Sequence, residues 1–170
     1  MMTERMLNAL NKQLNEELYS AYLYLSMSAW CESKNLKGFA NWLRVQYQEE
    51  TAHALKIFDY ILERGGKINL EKIDEPSQSW DDIIHVFEDV LKHEKRITEL
   101  INELVEIAIE EKDFASQNML QWFVNEQVEE EANASLILEQ LKSFEGKGAP
   151  LFFMDNELKK RVFTPIIDNQ

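Results

Sequence analysis

Apolar residues recur along most of the chain in the two interleaved columns of a seven-residue helical repeat. Four stretches with this pattern, at about 4–33, 39–64, 81–109 and 113–143, each predict a helix that buries one face. Glycine and proline, which interrupt helices, number only 5 and 3 in 170 residues. The pattern therefore predicts an all-α protein.

The segments between these stretches indicate how the helices are arranged. The turn SKNLKG, at 33–38, is so short that it predicts an antiparallel pair. Residues 67–80 lack helical periodicity and contain Pro76; extended, they reach about 46 Å, against about 40 Å for a helix of about 27 residues. They predict a crossover along the bundle that ends at a helix start near Ser79. The prediction is a four-helix bundle, about 4–143, in a single domain spanning 1–170.

A further amphipathic segment, GAPLFFMDNELKK, follows the last of the four helices and predicts a short fifth helix at about 148–160. Four helices already close a bundle, so this apolar piece either caps the bundle end or packs on another subunit. The sequence leaves both possibilities open.

Polar residues interrupt the apolar columns in all four predicted helices. Six of them have side chains that could bind a metal ion or hydrogen-bond to its ligands: Glu17, Glu50, His53, Glu94, Gln127 and Glu130. Glu50 and His53 are three residues apart, which makes them neighbours on one helix face. Counted from the two hairpin turns at about 1.5 Å per residue, all six lie within roughly two helical turns of one height. We therefore expect them to meet in the middle of the bundle.

A single polar residue in a helical core can serve to fix register, and that alternative holds for any one of these positions. Four inward carboxylates without matching buried Lys or Arg would be desolvated and would repel one another. Either extra protons or bound cations would relieve both effects, and we favour bound metal ions. Oxygen-rich ligation with one imidazole suits Fe, Mn or Zn, and two divalent cations would balance four carboxylates.

The amino-acid composition limits which partners the chain is expected to bind. The net charge of −13 predicts repulsion of nucleic acid and anionic lipid and attraction of cations. No apolar run long enough for a membrane span is visible, and the charged N-terminal stretch lacks the features of a secretory signal, so we expect a cytoplasmic protein with no membrane partner. Cys31 is the single cysteine, which excludes an internal disulfide and a multi-cysteine metal site; we interpret it as a core thiol.

The residues carry a resemblance to the ferritins, specifically the non-haem bacterial and archaeal kind, over essentially the whole chain. The most specific segments are NEELYSAYLYLSMS, NWLRVQYQEETAH and EKDFASQNMLQWFVNEQVEEEA. The resemblance implies a ferritin-like bundle that acts as a ferroxidase in iron storage. Two Fe(II) ions per subunit would be oxidised by O2 or H2O2, and Fe(III) would be deposited as ferric oxyhydroxide mineral inside a hollow shell of 24 subunits.

The resemblance also implies roles for individual residues. Glu17, Glu50 and His53 match one iron site, and Glu50 would bridge to a second site made by Glu94 and Glu130. Two further residues match positions beside the centre and are assigned catalytic roles, Tyr24 and Gln127, and Gln127 is also counted among the metal-site residues. A possible third iron site matches Glu49, Glu126 and Glu129 together with Glu130. The alternative for these last acids is a solvated acidic face.

Differences from related protein families argue against other assignments of this chain. Bacterioferritins carry a haem-ligating Met where this chain has Thr51, and Glu-x-x-His where it has Gln127-x-x-Glu130, so the resemblance implies no haem. Rubrerythrin-like di-iron oxidases or peroxidases without mineral storage remain an alternative with the same ligands, but rubrerythrins add a four-cysteine iron domain that Cys31 cannot supply. A metal-free helical interaction module would explain the heptads but not four inward acids.

Overall fold

The computed structural model describes residues 2–166 as helices joined by turns and one long connection. Its five helices are α1, Glu4–Ser33; α2, Lys37–Glu63; α3, Ile83–Glu110; α4, Phe114–Ser143; and α5, Gly148–Leu158. This confirms the predicted all-α bundle with a short fifth helix. The predicted domain, 1–170, includes residues 1 and 167–170, which lie outside the described ones.

The heptad columns face the core as predicted. All their residues are buried except Leu7, Tyr60 and Phe144, which are half-buried. The apolar core falls into two clusters. One combines the C-terminal halves of α1 and α4 with the N-terminal halves of α2 and α3, and the other combines the opposite halves of the same four helices. Polar side chains occupy the layer between the two clusters. The bundle therefore holds a buried polar layer at mid-height.

The connection from α2 to α3 runs alongside α1. The backbone N–H of Asn69 donates to Asn11 Oδ1 at 2.7 Å, that of Glu71 donates to Asn15 Oδ1 at 2.8 Å, and Ser26 Oγ donates to the Ser77 carbonyl at 2.6 Å. The residues of α1 that the connection contacts follow one another in the same order as the residues of the connection, so the segment runs along the length of the bundle. This confirms the predicted long crossover.

The start of α3 differs from the prediction. The helix begins at Ile83, and its N-cap is Asp82, whose side chain accepts a hydrogen bond from the His85 N–H at 3.0 Å. The expected cap, Ser79, is wrong by three residues, and the helix, expected from about residue 81, begins two residues later. Asp82 has extended backbone geometry suited to a cap, and Ile83, the first residue of the apolar column, is buried.

Helix α5 caps one end of the bundle. The Asp155 carboxylate accepts hydrogen bonds from the Gly38 N–H at 2.7 Å and the Phe39 N–H at 3.2 Å, at the start of α2. A Cβ atom on Gly38 would lie 1.6 Å from the Asp155 carbonyl oxygen, so this close approach requires glycine. Phe152 and Phe153 of α5 remain exposed. Within the described residues, no helix combines the length and apolar character of a membrane span.

Candidate metal centre

The polar layer contains all six residues that the sequence predicts to meet there. Each is buried, with exposed fractions from 1% for Glu17 to 6% for Glu130. They come from all four long helices: Glu17 from α1, Glu50 and His53 from α2, Glu94 from α3, and Gln127 and Glu130 from α4.

One compact group of potential ligands consists of Glu17, Glu50 and His53. One ligand atom from each lies within 4.8 Å of the others, and His53 Nδ1 lies 3.3 Å from Glu50 Oε2. Gln13 Nε2 donates to Glu17 Oε1 at 2.8 Å, and a hydrogen bond between the Glu17 and Glu50 carboxyl groups requires that one of the two be protonated. A cation between these oxygens would take the place of that proton.

A second compact group consists of His53, Glu126 and Glu130, again within 4.8 Å of one another. His53 Nε2 lies 4.0 Å from Glu126 Oε2, and Gln46 Nε2 donates to Glu130 Oε2 at 2.9 Å. The imidazole therefore stands between the two groups. A neutral imidazole has one free lone pair and can bind one metal, whereas a carboxylate such as Glu50 has two oxygens and can bridge two.

Glu94 lies beside these groups and belongs to neither. Tyr24 donates its phenol proton to Glu94 Oε1, and Gln127 Nε2 donates to Glu94 Oε2 at 3.1 Å. Tyr24 and Gln127, the two residues predicted to lie beside the centre, thus contact the same carboxylate. They hold it in place from two directions.

The acids predicted for a third iron site are only partly brought together. Glu126 and Glu130 share the second group. Glu129 is exposed, and the Glu49 carboxylate pairs with Arg161 Nη2 at 2.6 Å. Glu49 and Glu129 therefore stand at the edge of the group within the described structure.

Burial makes the carboxylates of the layer hard to ionise. Desolvation, and then the charge of Glu50, raises the pKa of Glu17 to about 8. Desolvation, and then the charge of Glu94, raises the pKa of Glu130 to about 8. The pKa values of Glu50 and Glu94 are raised as well, mainly by burial. Near neutral pH the layer therefore holds protons that an entering cation would displace.

The phenol of Tyr24 stays protonated for the same reasons. Burial, followed by the charges of Glu94 and Glu50, raises the Tyr24 pKa well above 10. It therefore acts as a hydrogen-bond donor to Glu94. The ring also packs edge-on against His93, with centroids 5.9 Å apart, and His93 Nε2 lies 2.7 Å from Ser20 Oγ.

Sequence reasoning left Gln13 and Gln46 out of the site. Gln46 shares a heptad column with His53, so its polar character in that column was the available signal. Gln13 lies one helical turn before Glu17, outside the two columns, and only its buried position reveals it. Both side chains donate to carboxylates of the layer, which orients those groups.

The chain is similar to known proteins over most of its length. The sequence profile of the ferritin-like domain matches residues 7–144. The chain is 44% identical over 161 residues to a bacterial non-heme ferritin of Bacteroides fragilis, covering 95% of this chain and 100% of that protein. It is 38% identical over 159 residues to the bacterial non-heme ferritin of Campylobacter jejuni, covering 94% and 95%.

Two solved structures share both fold and sequence with the chain. An engineered closed form of the Archaeoglobus fulgidus ferritin superposes with a TM-score of 0.95 at 52% identity, covering 96% of this chain and 100% of that one. The open-pore ferritin of the same archaeon gives 0.94 at 51% identity, covering 95% and 100%. The profile match and these identities together show that the chain belongs to the ferritin family, among its non-haem bacterial and archaeal members.

Proposed function

We propose that the chain stores iron and oxidises Fe(II) at the polar layer. Family membership supports iron storage and Fe(II) oxidation as the general activity. One observation carries the assignment to this layer: four buried carboxylates and one imidazole converge in an otherwise apolar core, and burial raises the pKa values of the carboxyl groups. Such a cluster is destabilising when empty and is relieved by cations.

The donor set divides into two positions for Fe(II), which is the substrate. We assign Glu17 and His53 to the first, Glu94 and Glu130 to the second, and Glu50 to a bridge between them. Tyr24 and Gln127 orient Glu94 through their hydrogen bonds to it. Glu126 and Glu130, with Glu49 and Glu129 at the edge, form a third and outer position.

The residues of the layer would contribute charge, proton release and exclusion of water. Two Fe(II) ions held side by side each give up one electron, which together reduce one O2 to H2O2 or one H2O2 to two waters, with two protons taken up in either case. The carboxyl groups release their protons as the ions enter, because ionised oxygens bind the cations. The apolar clusters above and below the layer keep bulk water away from the reacting ions.

Storage requires assembly. We propose that copies of the chain form a hollow shell of 24 subunits in the cytoplasm, with ferric mineral inside. The exposed Phe152 and Phe153 on α5 support self-association, since paired exposed aromatic residues favour a protein contact. The rubrerythrin-like alternative is not favoured, because the relatives that match over nearly the whole chain are named as ferritins.

The test combines particle size with oxidation kinetics. Size-exclusion chromatography should show a particle of about 480 kDa for 24 subunits of 20.0 kDa, and aerobic Fe(II) loading should leave many irons per subunit inside it. In stopped-flow experiments Glu50→Gln should slow Fe(II) oxidation by about a hundredfold or more, because it removes the bridging charge. Glu139→Gln, an exposed acid on α4, is the matched control and should oxidise iron normally. A small oligomer without retained iron would contradict storage, and normal oxidation by Glu50→Gln would contradict the site.

A further inference from the structure

The chain after α5 turns back onto α2 and is held there by side-chain contacts. Asn41 Nδ2 donates to the carbonyl oxygens of Leu158 at 3.1 Å and Arg161 at 2.9 Å. The first bond satisfies a carbonyl group that the end of helix α5 leaves free, and the second holds the backbone three residues farther along. They also fix the position of Arg161 beside the N-terminal half of α2.

The Arg161 guanidinium is held in place by three contacts. Nη1 donates to the Trp42 carbonyl at 3.2 Å, Nη2 donates to Glu49 Oε2 at 2.6 Å, and the guanidinium carbon lies 4.5 Å from the centroid of the Trp42 ring. The side chains of Arg161 and Glu49 are only 22% and 24% exposed. Partial burial and the contact with the aromatic ring distinguish this pair from an ordinary surface ion pair.

Glu49 also borders the second ligand group of the polar layer. It directly precedes Glu50 on α2, and its charge contributes to raising the pKa values of Glu126 and Glu130. Its carboxylate nevertheless faces Arg161, and it does not join the compact group that His53 forms with those acids. One carboxylate therefore stands between two cationic partners: the guanidinium that it binds in this structure and a metal ion at the outer position.

We propose that Arg161 is a positioning residue that competes with the outer metal ion for Glu49. Binding of a third Fe(II) through Glu49 requires the guanidinium to leave, so Arg161 weakens the third ion relative to the two inner ions. Because coupling between two binding events is reciprocal, the third ion in turn loosens the docking of residues 159–166 on α2. This inference rests on the proposed function and adds to it a link between the outer position and the C-terminal segment.

Anaerobic Fe(II) calorimetry on the assembled protein tests the competition. Arg161→Gln should tighten binding of the third ion by about five- to tenfold and leave the two inner ions unchanged, since an ion pair with partial burial is worth about this much. Lys160→Gln is the matched control, because it removes the same charge from the same segment but pairs with Glu157. Arg161→Lys keeps the positive charge but cannot make both nitrogen contacts and stack on Trp42, so its third-ion affinity should lie between those of the parent and Arg161→Gln.

A double-mutant comparison separates competition from a general effect on the tail. In a Glu49→Gln background, adding Arg161→Gln should change third-ion affinity by less than about twofold, because the shared carboxylate is gone. Hydrogen exchange at residues 159–166 should accelerate in the parent when the third equivalent of Fe(II) is added under anaerobic conditions, and not after the first two.

The outcomes distinguish this inference from the function on which it rests. If the parent binds no Fe(II) tightly, the proposed function fails. If two inner ions bind but Arg161→Gln leaves the third unchanged or weakens it, the competition is refuted and Arg161 only anchors the tail. An equal gain in Lys160→Gln would refute it too, because the effect would then be one of net charge.

Discussion

Replacement of Glu130 by Gln in metal-free protein separates a metal-binding cluster from a structural one. Glu130 is 6% exposed, and burial together with the charge of Glu94 raises its pKa from 4.5 to about 8. The amide retains an oxygen for the hydrogen bond from Gln46 Nε2 but carries no charge. The substitution should therefore relieve repulsion without breaking a favourable ion pair.

The sign and size follow from proton linkage. A carboxyl group whose pKa is raised by folding makes the folded state less favourable as pH rises from about 4.5 to about 8, after which the effect is constant. The whole shift of Glu130 corresponds to about 5 kcal/mol, of which about 3 kcal/mol has accumulated at pH 7. Glu94 and Glu50 titrate together with Glu130, so replacing Glu130 alone also changes their protonation. We therefore expect a gain in the free energy of unfolding smaller than the full value for Glu130, about 1–3 kcal/mol.

Thermal unfolding of metal-free protein measures this gain. Glu130→Gln should raise the unfolding temperature at pH 7 by about 2–12 °C, with a larger difference at pH 8 and only about a quarter of the pH 7 difference at pH 5. Glu139→Gln, exposed on the same helix, should shift it little at any of these pH values. A loss of about 3–5 kcal/mol in Glu130→Gln would refute the reasoning, since that is the cost of leaving a buried charged partner unpaired.

Three further predictions concern individual side chains. Asp155→Ala should lower stability by about 1–2 kcal/mol in thermal unfolding, because the N–H groups of Gly38 and Phe39 lose their acceptor; an unchanged unfolding temperature would argue against capping by α5. Tyr24→Phe should slow Fe(II) oxidation about tenfold in stopped-flow traces while Fe(II) affinity changes less, and an unaltered rate would remove the orienting role. Burial raises the pKa of the Cys31 thiol to about 12, so folded protein at pH 8 should not react with a thiol reagent until denaturant is added; rapid labelling would contradict its position in the core.

The sequence predicted the bundle and the position of its polar layer because both depend on periodicity. A seven-residue repeat determines which side chains face inward, and distance from a hairpin turn determines their height. Glu17, Glu94 and Glu130 interrupt otherwise apolar columns, so their burial could be inferred without coordinates. The division of these acids among metal positions came from the family resemblance and stays a prediction.

Contacts without a periodic signal could not be predicted in this way. Glu49 and Arg161 are 112 residues apart, and neither lies in an apolar column, so nothing in the sequence pattern pairs them. The start of α3 shows the same limit on a smaller scale. Several residues between Ser79 and Asp82 could cap a helix, and the choice depends on which one allows Ile83 to face the core.

The most direct measurement of the central claim is the number of Fe(II) ions that the protein binds tightly without oxygen. Anaerobic titration of the assembled parent should show about two tight ions per subunit, and Glu50→Gln should lose at least one of them, because Glu50 is assigned to both positions. Glu139→Gln should bind as the parent does. Absence of tight Fe(II) binding in the parent, or two undiminished ions in Glu50→Gln, would contradict the assignment of the buried layer as the site of Fe(II) oxidation.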